Sequence, residues 1–301
     1  EAATRSSRDL DAENGTADSF SIQLNAEGKP ESSGDGTHWY YSAASGCWLY
    51  NGVFALQPSS EAEAESALQA TLYIIKDAEF NSGTVGGKTS NNGIISNGNF
   101  QWNVYNYQTI SDGTFQGKVD NDGVISGGTF QGEVYNDSTI SGGTFQSELY
   151  NFRGTISGGT FQGNVTNSSG TISGGTFKEA VEVNAASGTE AKIEGGTFKK
   201  SMTLKNSDGA PIIISDGLFD GEVVAKGCYA PLSITGGLFT QAVDVSDTDP
   251  SKLSITGDYF VNEPTMPESS GIAFTSVSDQ NGRAFQVPVN GSWSESGYET
   301  L

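Results

Sequence analysis

The hexapeptide Ile-Ser-Gly-Gly-Thr-Phe stands unaltered at 125–130, 140–145, 156–161 and 172–177, and it restricts this chain to very few folds. Degenerate copies lie on both sides: Ile95…Phe100, Ile110…Phe115, Ile193…Phe198, Ile214…Phe219, Ile234…Phe239 and Ile255…Phe260, with Ile75…Phe80 as a worn first copy. In each, the isoleucine stands five residues before the phenylalanine. From Phe80 to Phe260 the steps between phenylalanines are 20, 15, 15, 15, 16, 16, 21, 21, 20 and 21. All of the variation falls between a Phe and the next Ile, as expected of a fixed corner followed by a tolerant loop. A helix-pair repeat needs roughly 33–45 residues. The shorter steps hold two or three short strands and their corners, which is one coil of a solenoid. The expected fold is therefore all-β: a parallel β-helix, or β-solenoid, of about eleven coils of 15–21 residues. Right-handed winding is expected, because β-crossover-β connections almost always have that hand.

Alternation assigns the faces, since neighbouring side chains on a strand point to opposite sides. In 139–151, Ile140, Phe145 and Leu149 face in, while Thr139, Ser141, Thr144 and Gln146 face out. Gly142-Gly143 makes the corner, where glycine reaches backbone angles closed to other residues. Stacking such coils builds an Ile column, a Phe column and an aliphatic column of Val104, Val119, Val134, Leu149, Val165, Val181, Met202, Val223 and Val243. Each buried Phe or Ile contributes roughly 1.5–3 kcal/mol of transfer free energy. The columns must offset the ordering entropy of a Gly-rich chain. A further column, Asn106, Asn121, Asn136, Asn151 and Asn167, falls six residues after successive phenylalanines. In that phase asparagines can bond to their copies one coil above and below. Beyond Phe177 the longer coils add a second inward position at Val183, Leu204 and Val245, so the cross-section should widen.

A solenoid needs caps at both ends. Residues 18–74 lack most of the repeat and read as an aromatic N-terminal cap, with a hairpin at Tyr40-Tyr41 and Trp48-Leu49-Tyr50 and a short helix over 61–70. The repeats occupy 75–260. Residues 261–301 read as a C-terminal cap whose hairpin turns at Asp279-Gln280-Asn281-Gly282. Residues 1–17 are polar and read as a disordered tail. Cys47 and Cys228 are separated by several coils, beyond disulfide reach, and are expected to be free thiols.

The net charge of −21 argues against nucleic acid and anionic membrane surfaces as partners, and it keeps a β-rod soluble and monomeric. No apolar run approaches the ~20 residues of a membrane span. The chain opens on Glu1 with no secretory leader, which reads as a mature or trimmed chain.

The repeat resembles the pectin-lyase-like β-helices of secreted or surface-attached proteins from Gram-positive gut bacteria. Two flanking stretches carry the resemblance further. Gly34-Asp35-Gly36-Thr37-His38-Trp39-Tyr40-Tyr41 with Gly46-Cys47-Trp48-Leu49 is similar to the segment leading into those helices, and Gly257-Asp258-Tyr259-Phe260-Val261-Asn262-Glu263-Pro264 is similar to their closing element. The resemblance covers about 34–290. It implies an extracellular or cell-surface location and adhesion or glycan contact, although no cell-wall sorting motif stands in the chain.

Three kinds of chemistry compete. Residues five after each Phe face outward: Tyr105, Asp120, Tyr135, Tyr150 and Thr166. Tyr135 and Tyr150 would then stack on adjacent coils, with Trp102, Tyr107 and Phe152 nearby in phase. Such a row suits the apolar faces of sugar rings, or else merely stabilises a sheet. Host or cell-surface proteins are the other candidate partners. A polysaccharide lyase or hydrolase would need a calcium cluster or paired carboxylates. Asp120-Asn121-Asp122-Gly123 is the one acidic cluster of the short coils, and it lacks the distal Glu of a calcium loop. Asp120 and Asp122 are thus weak metal candidates and His38 a weak catalytic one. No cofactor is expected. Finally, Thr109/Ser111, Thr139/Ser141, Thr155/Ser157 and Thr171/Ser173 form outward hydroxyl files of the kind that could order ice, broken at Val124.

Overall fold

In the computed structural model the described residues are 20–24, 30–32, 39–42, 47–50, 54–57, 71–74, 76, and 79–291 save 187, 207, 208 and 280. The expected tail at 1–17, helix at 61–70 and His38 lie outside them. Among the described residues there is no helix. The chain is all-β, with parallel strands stacked coil upon coil as a β-helix. It divides into two compact units, Glu1–Gln146 and Ser147–Leu301.

In the first unit each coil contributes three short strands. Val104–Asn106, Val119–Asn121 and Val134–Asn136 stack in register, as do Thr109–Ile110, Val124–Ile125 and Thr139–Ile140, and likewise Asn99–Phe100, Thr114–Phe115, Thr129–Phe130 and Thr144–Phe145. Like residues therefore lie on like. Phe100, Phe115, Phe130 and Phe145 are buried, and consecutive rings stack with centroids 5.0, 4.7 and 4.7 Å apart. The expected corner follows from coil spacing. A Cβ at Gly127 would come 2.2 Å from the Ser111 carbonyl oxygen, and Gly128 sits at φ +102°, so neither position tolerates a side chain.

Before the first coil, Trp39–Ser42, Cys47–Tyr50, Phe54–Gln57 and Thr71–Ile74 pair antiparallel, and Thr71–Ile74 then runs parallel to Thr89–Asn91. The reading of Ile75…Phe80 as a worn copy needs correction. Phe80 pairs with Ile95, in the isoleucine register, and Val85 pairs with Phe100. One longer strand, Glu79–Val85, spans both positions, so its phenylalanine lands one register early. Its ring still closes the phenylalanine column, tilted 56° against Phe100 at 5.3 Å.

The asparagine ladder forms, and it begins one coil earlier than expected. Asn91 Nδ2 donates to Asn106 Oδ1, Asn106 to Asn121 and Asn121 to Asn136, each at 2.6 Å. The same amide of Asn121 also donates to the Gly123 carbonyl at 3.1 Å, which satisfies the turn. These asparagines are buried. Asn121→Ala leaves Asn136 Oδ1 and the Gly123 carbonyl without this donor, at a cost of about 2–3 kcal/mol, whereas exposed Asp122→Ala should change stability by less than about 0.5 kcal/mol. Urea unfolding midpoints of the two variants check this.

The second unit repeats the plan with longer coils. Phe161, Phe177, Phe198, Phe219, Phe239 and Phe260 stack at centroid separations of 4.6, 4.8, 5.0, 4.4 and 4.8 Å. Asn151 donates to Asn167 Oδ1 at 2.6 Å and to the Gly154 carbonyl at 2.9 Å. The extra residue of a 16-residue coil is taken up at this turn by a left-handed residue, Arg153 at φ 60° and Ser169 at φ 57°. Past Asn167 the ladder position passes to Val183, and the added inward residues Val183, Leu204 and Val245 are buried as expected. Cys228 is a buried free thiol, and burial pushes its pKa up to about 11. After the last coil, Phe274–Ser278 and Ala284–Pro288 form an antiparallel hairpin that pairs with Phe260 through Gln286.

Candidate functional site

The outward face of the valine strands carries the aromatic residues, because alternation points every residue after the column valine to solvent. In the first unit, one coil holds Trp102, Tyr105 and Tyr107. Trp102 is 52% and Tyr107 47% exposed, and Tyr105 between them is half-buried. Trp102 stands at a corner stacked under Gly117, where any Cβ would come 2.4 Å from the Trp102 carbonyl carbon. The glycine above thus lets the backbones close up while the indole stays open to solvent.

Two coils along the same file is Tyr135, with Asp120 in register between it and Tyr105. Lys118 Nζ reaches Asp120 Oδ1 at 2.8 Å and lies 3.8 Å from the centre of the Tyr135 ring. The Tyr135 hydroxyl donates to Glu133 Oε2 at 3.2 Å. The hydrogen bond to Asp120 raises the Lys118 pKa. Desolvation raises that of the Tyr135 phenol, with Glu133 adding to it. Tyr135 is therefore part of an ionic cluster that the sequence reading missed at Lys118 and Glu133. Asp120 is engaged by Lys118 on the outward face, while Asp122 is exposed at the next turn. Among the described residues no three His, Cys, Asp or Glu side chains converge as a metal site.

In the second unit, Tyr150 and Phe152 lie on one strand, Leu149–Phe152, with rings near parallel at 7° and centroids 6.3 Å apart. That spacing matches the two-residue rise of a strand, so the rings stand side by side as a wall. Phe152 is 37% exposed. The Tyr150 hydroxyl donates to Glu148 Oε2 at 2.6 Å. In register after Tyr150 come Thr166, Glu182 and Thr203. Thr166 and Ala180 are small, and between the longer side chains they leave a groove of about 270 Å³. Glu148, Tyr150, Asn164, Thr166, Glu182 and Thr203 are its polar lining. Lys205 Nζ sits 2.5 Å from Glu182 Oε2, and Asn184 Nδ2 donates to Oε1 at 2.8 Å. The lysine, then the amide, hold the Glu182 carboxyl below its ordinary range. The sequence reading named Tyr150 and Phe152 but neither glutamate. The available signal was the pair Thr166 and Ala180, small residues in outward files that carry Tyr150 and Glu182 on the coils to either side of Thr166.

The serine hydroxyls do not stand free. Ser111, Ser126 and Ser141 Oγ donate to the carbonyls of Ile95, Ile110 and Ile125 at 3.3, 3.4 and 3.4 Å, and Ser173 donates to Ile156 at 3.5 Å. They tie one coil to the next. Val124 lies in register between Thr109 and Thr139, which interrupts the threonine file.

No family model, curated protein or solved structure matches this chain.

Proposed function

We propose that this chain is a non-enzymatic, adhesin-like β-helix of the cell exterior that holds glycans against the outward face of its valine strands. The observation that carries this reading is the groove of the second unit, walled by Tyr150 and floored by small residues. Aromatic rings offer an apolar plane to the C–H faces of a sugar, and the convergent amide, hydroxyl and carboxylate groups can bond its hydroxyls. The Trp102–Tyr105–Tyr107 row of the first unit offers a second, flatter aromatic surface.

A hydrolase reading has one feature in its favour: Glu148 and Glu182 both line the groove, and glycosidases work with two carboxylates. Such an enzyme also needs one carboxyl kept protonated as the acid. Glu182 is shifted the other way by Lys205. Glu182 is therefore unsuited to the acid's role.

Glycan-array screening of the full chain tests the reading. Binding should weaken about tenfold or more in Tyr150→Ala, in line with the loss of one well-placed aromatic contact. Silence from every glycan, or signals indifferent to both Tyr150→Ala and Trp102→Ala, would sink it. Release of reducing ends from a bound oligosaccharide would favour the hydrolase instead.

A further inference from the structure

From the charges that line the groove we infer its ligand class: saccharides bearing a free, protonated amino group, with the ring seated on Tyr150 and the ammonium on Glu148. The inference rests on the glycan-contact reading and goes beyond it by selecting among sugars.

The only ionisable groups in the groove lining besides the Tyr150 phenol are two acids, Glu148 and Glu182. Glu182 is already engaged, with Lys205 on one oxygen and Asn184 on the other. Glu148 differs. Its Oε2 accepts the Tyr150 hydroxyl at 2.6 Å, which fixes the carboxylate beside the aromatic wall. Among the described residues its Oε1 has no protein donor. Glu148 is exposed at the edge of the groove, so its charge draws a cation through solvent, an attraction that salt screens. The arrangement therefore offers one aromatic plane and one under-used negative charge next to it. An aminohexose matches both: its C–H face covers the ring and its ammonium reaches the carboxylate.

Other sugar classes fit less well. A uronate would bring a second carboxylate to a groove whose free charge is already negative, on a chain of net charge −21. An N-acetylated sugar keeps the apolar face but gives Glu148 only a neutral amide donor, which lacks the ion-pair attraction that an ammonium adds to its hydrogen bond. The hydroxyls of Thr166 and Thr203 and the amide of Asn164 serve any hexose alike, so they contribute affinity without choosing between these classes.

The test titrates the full chain with three probes of equal length: glucosamine, N-acetylglucosamine and galacturonate tetrasaccharides. Conditions are low ionic strength and about pH 6, where the amine is charged. The glucosamine tetramer should bind about tenfold more tightly than the N-acetylated one, and galacturonate least. Glu148→Gln should abolish the preference by bringing the affinity for the glucosamine probe down to that for the N-acetylated one, and added salt should narrow the gap in the unmodified protein. Because the salt titration needs no mutation, it keeps the inference testable even if the variant folds poorly. Equal affinity for the amino and N-acetylated probes, tighter binding of galacturonate, or a preference that survives Glu148→Gln overturns the inference and leaves glycan contact standing. Failure of all three probes to bind, with no glycan active on the wider array, overturns both.

Discussion

Phe130→Ala is expected to destabilise the first unit by about 3–5 kcal/mol, the range for removing a fully buried ring. Phe130 has zero exposure and stacks on Phe115 and Phe145, each at 4.7 Å. The column is continuous, so truncation empties a slot bounded by two rings that cannot close up, because the coil spacing is held by backbone bonds such as Thr129 N to Gly113 O at 2.7 Å and Thr144 N to Gly128 O at 2.8 Å. Phe130→Leu, which refills part of the volume, should cost roughly half as much. Exposed Tyr107→Ala should move stability by about 0.5 kcal/mol or less. In a stacked-coil protein each coil is stabilised chiefly by its neighbours. Phe130→Ala should therefore raise amide exchange most in coils 110–145. A loss below about 1 kcal/mol in urea unfolding would contradict the picture of a tightly packed ring column.

The second large effect concerns pH. Asp258 is buried, and neither of its carboxyl oxygens has a hydrogen-bond partner. Burial pushes its pKa up to about 8, with no charged group contributing. The hairpin after it does carry Asp279 and Arg283, but these pair with each other at 2.5 Å. In the unfolded chain the carboxyl titrates near its ordinary value of 3.8. Between those values folding requires proton uptake, so the stability present at acid pH declines as pH rises from about 4 and is fully lost above about 8. The whole difference is on the order of 5 kcal/mol. Asp258→Asn, which cannot ionise, should have a flatter stability curve and exceed wild type in thermal midpoint above about pH 7. Subtracting the two curves isolates this carboxyl from the general repulsion of an acidic chain. Parallel curves for the two proteins would show that Asp258 is solvated and the burial argument wrong.

The burial of Asp258 has a signal in the sequence. Elsewhere the corner reads Asn97-Gly98, Asp112-Gly113 or Asp216-Gly217, and the acid or amide caps the next N–H, as Asp112 Oδ1 does for Gly113 at 2.8 Å. In the last coil the order is reversed, Gly257-Asp258, and Gly257 takes the positive φ of 120°. Asp258 then occupies the place of Gly237, where a Cβ would stand 3.1 Å from the Phe219 ring. Asn91 was missed for a related reason. The ladder was counted from phenylalanines, and Val85 fills the phenylalanine register of that coil.

The recurring hexapeptide and the residues in fixed phase with it determined that the chain is a β-helix, which residues form its dry columns, and that buried asparagines bridge its turns. Each of these follows from a contact between a residue and its own copy one coil away, so the period along the chain is also the period in space. Only the tertiary structure decided where Phe80 sits, which outward side chains meet, and that Thr166 and Ala180 open a groove between Tyr150 and Glu182. Those contacts join unlike residues of successive coils, and their alignment depends on how each turn absorbs its extra residues, as at Arg153 and Ser169. A fixed repeat carries no information about that, because insertions of equal length can be taken up at different turns.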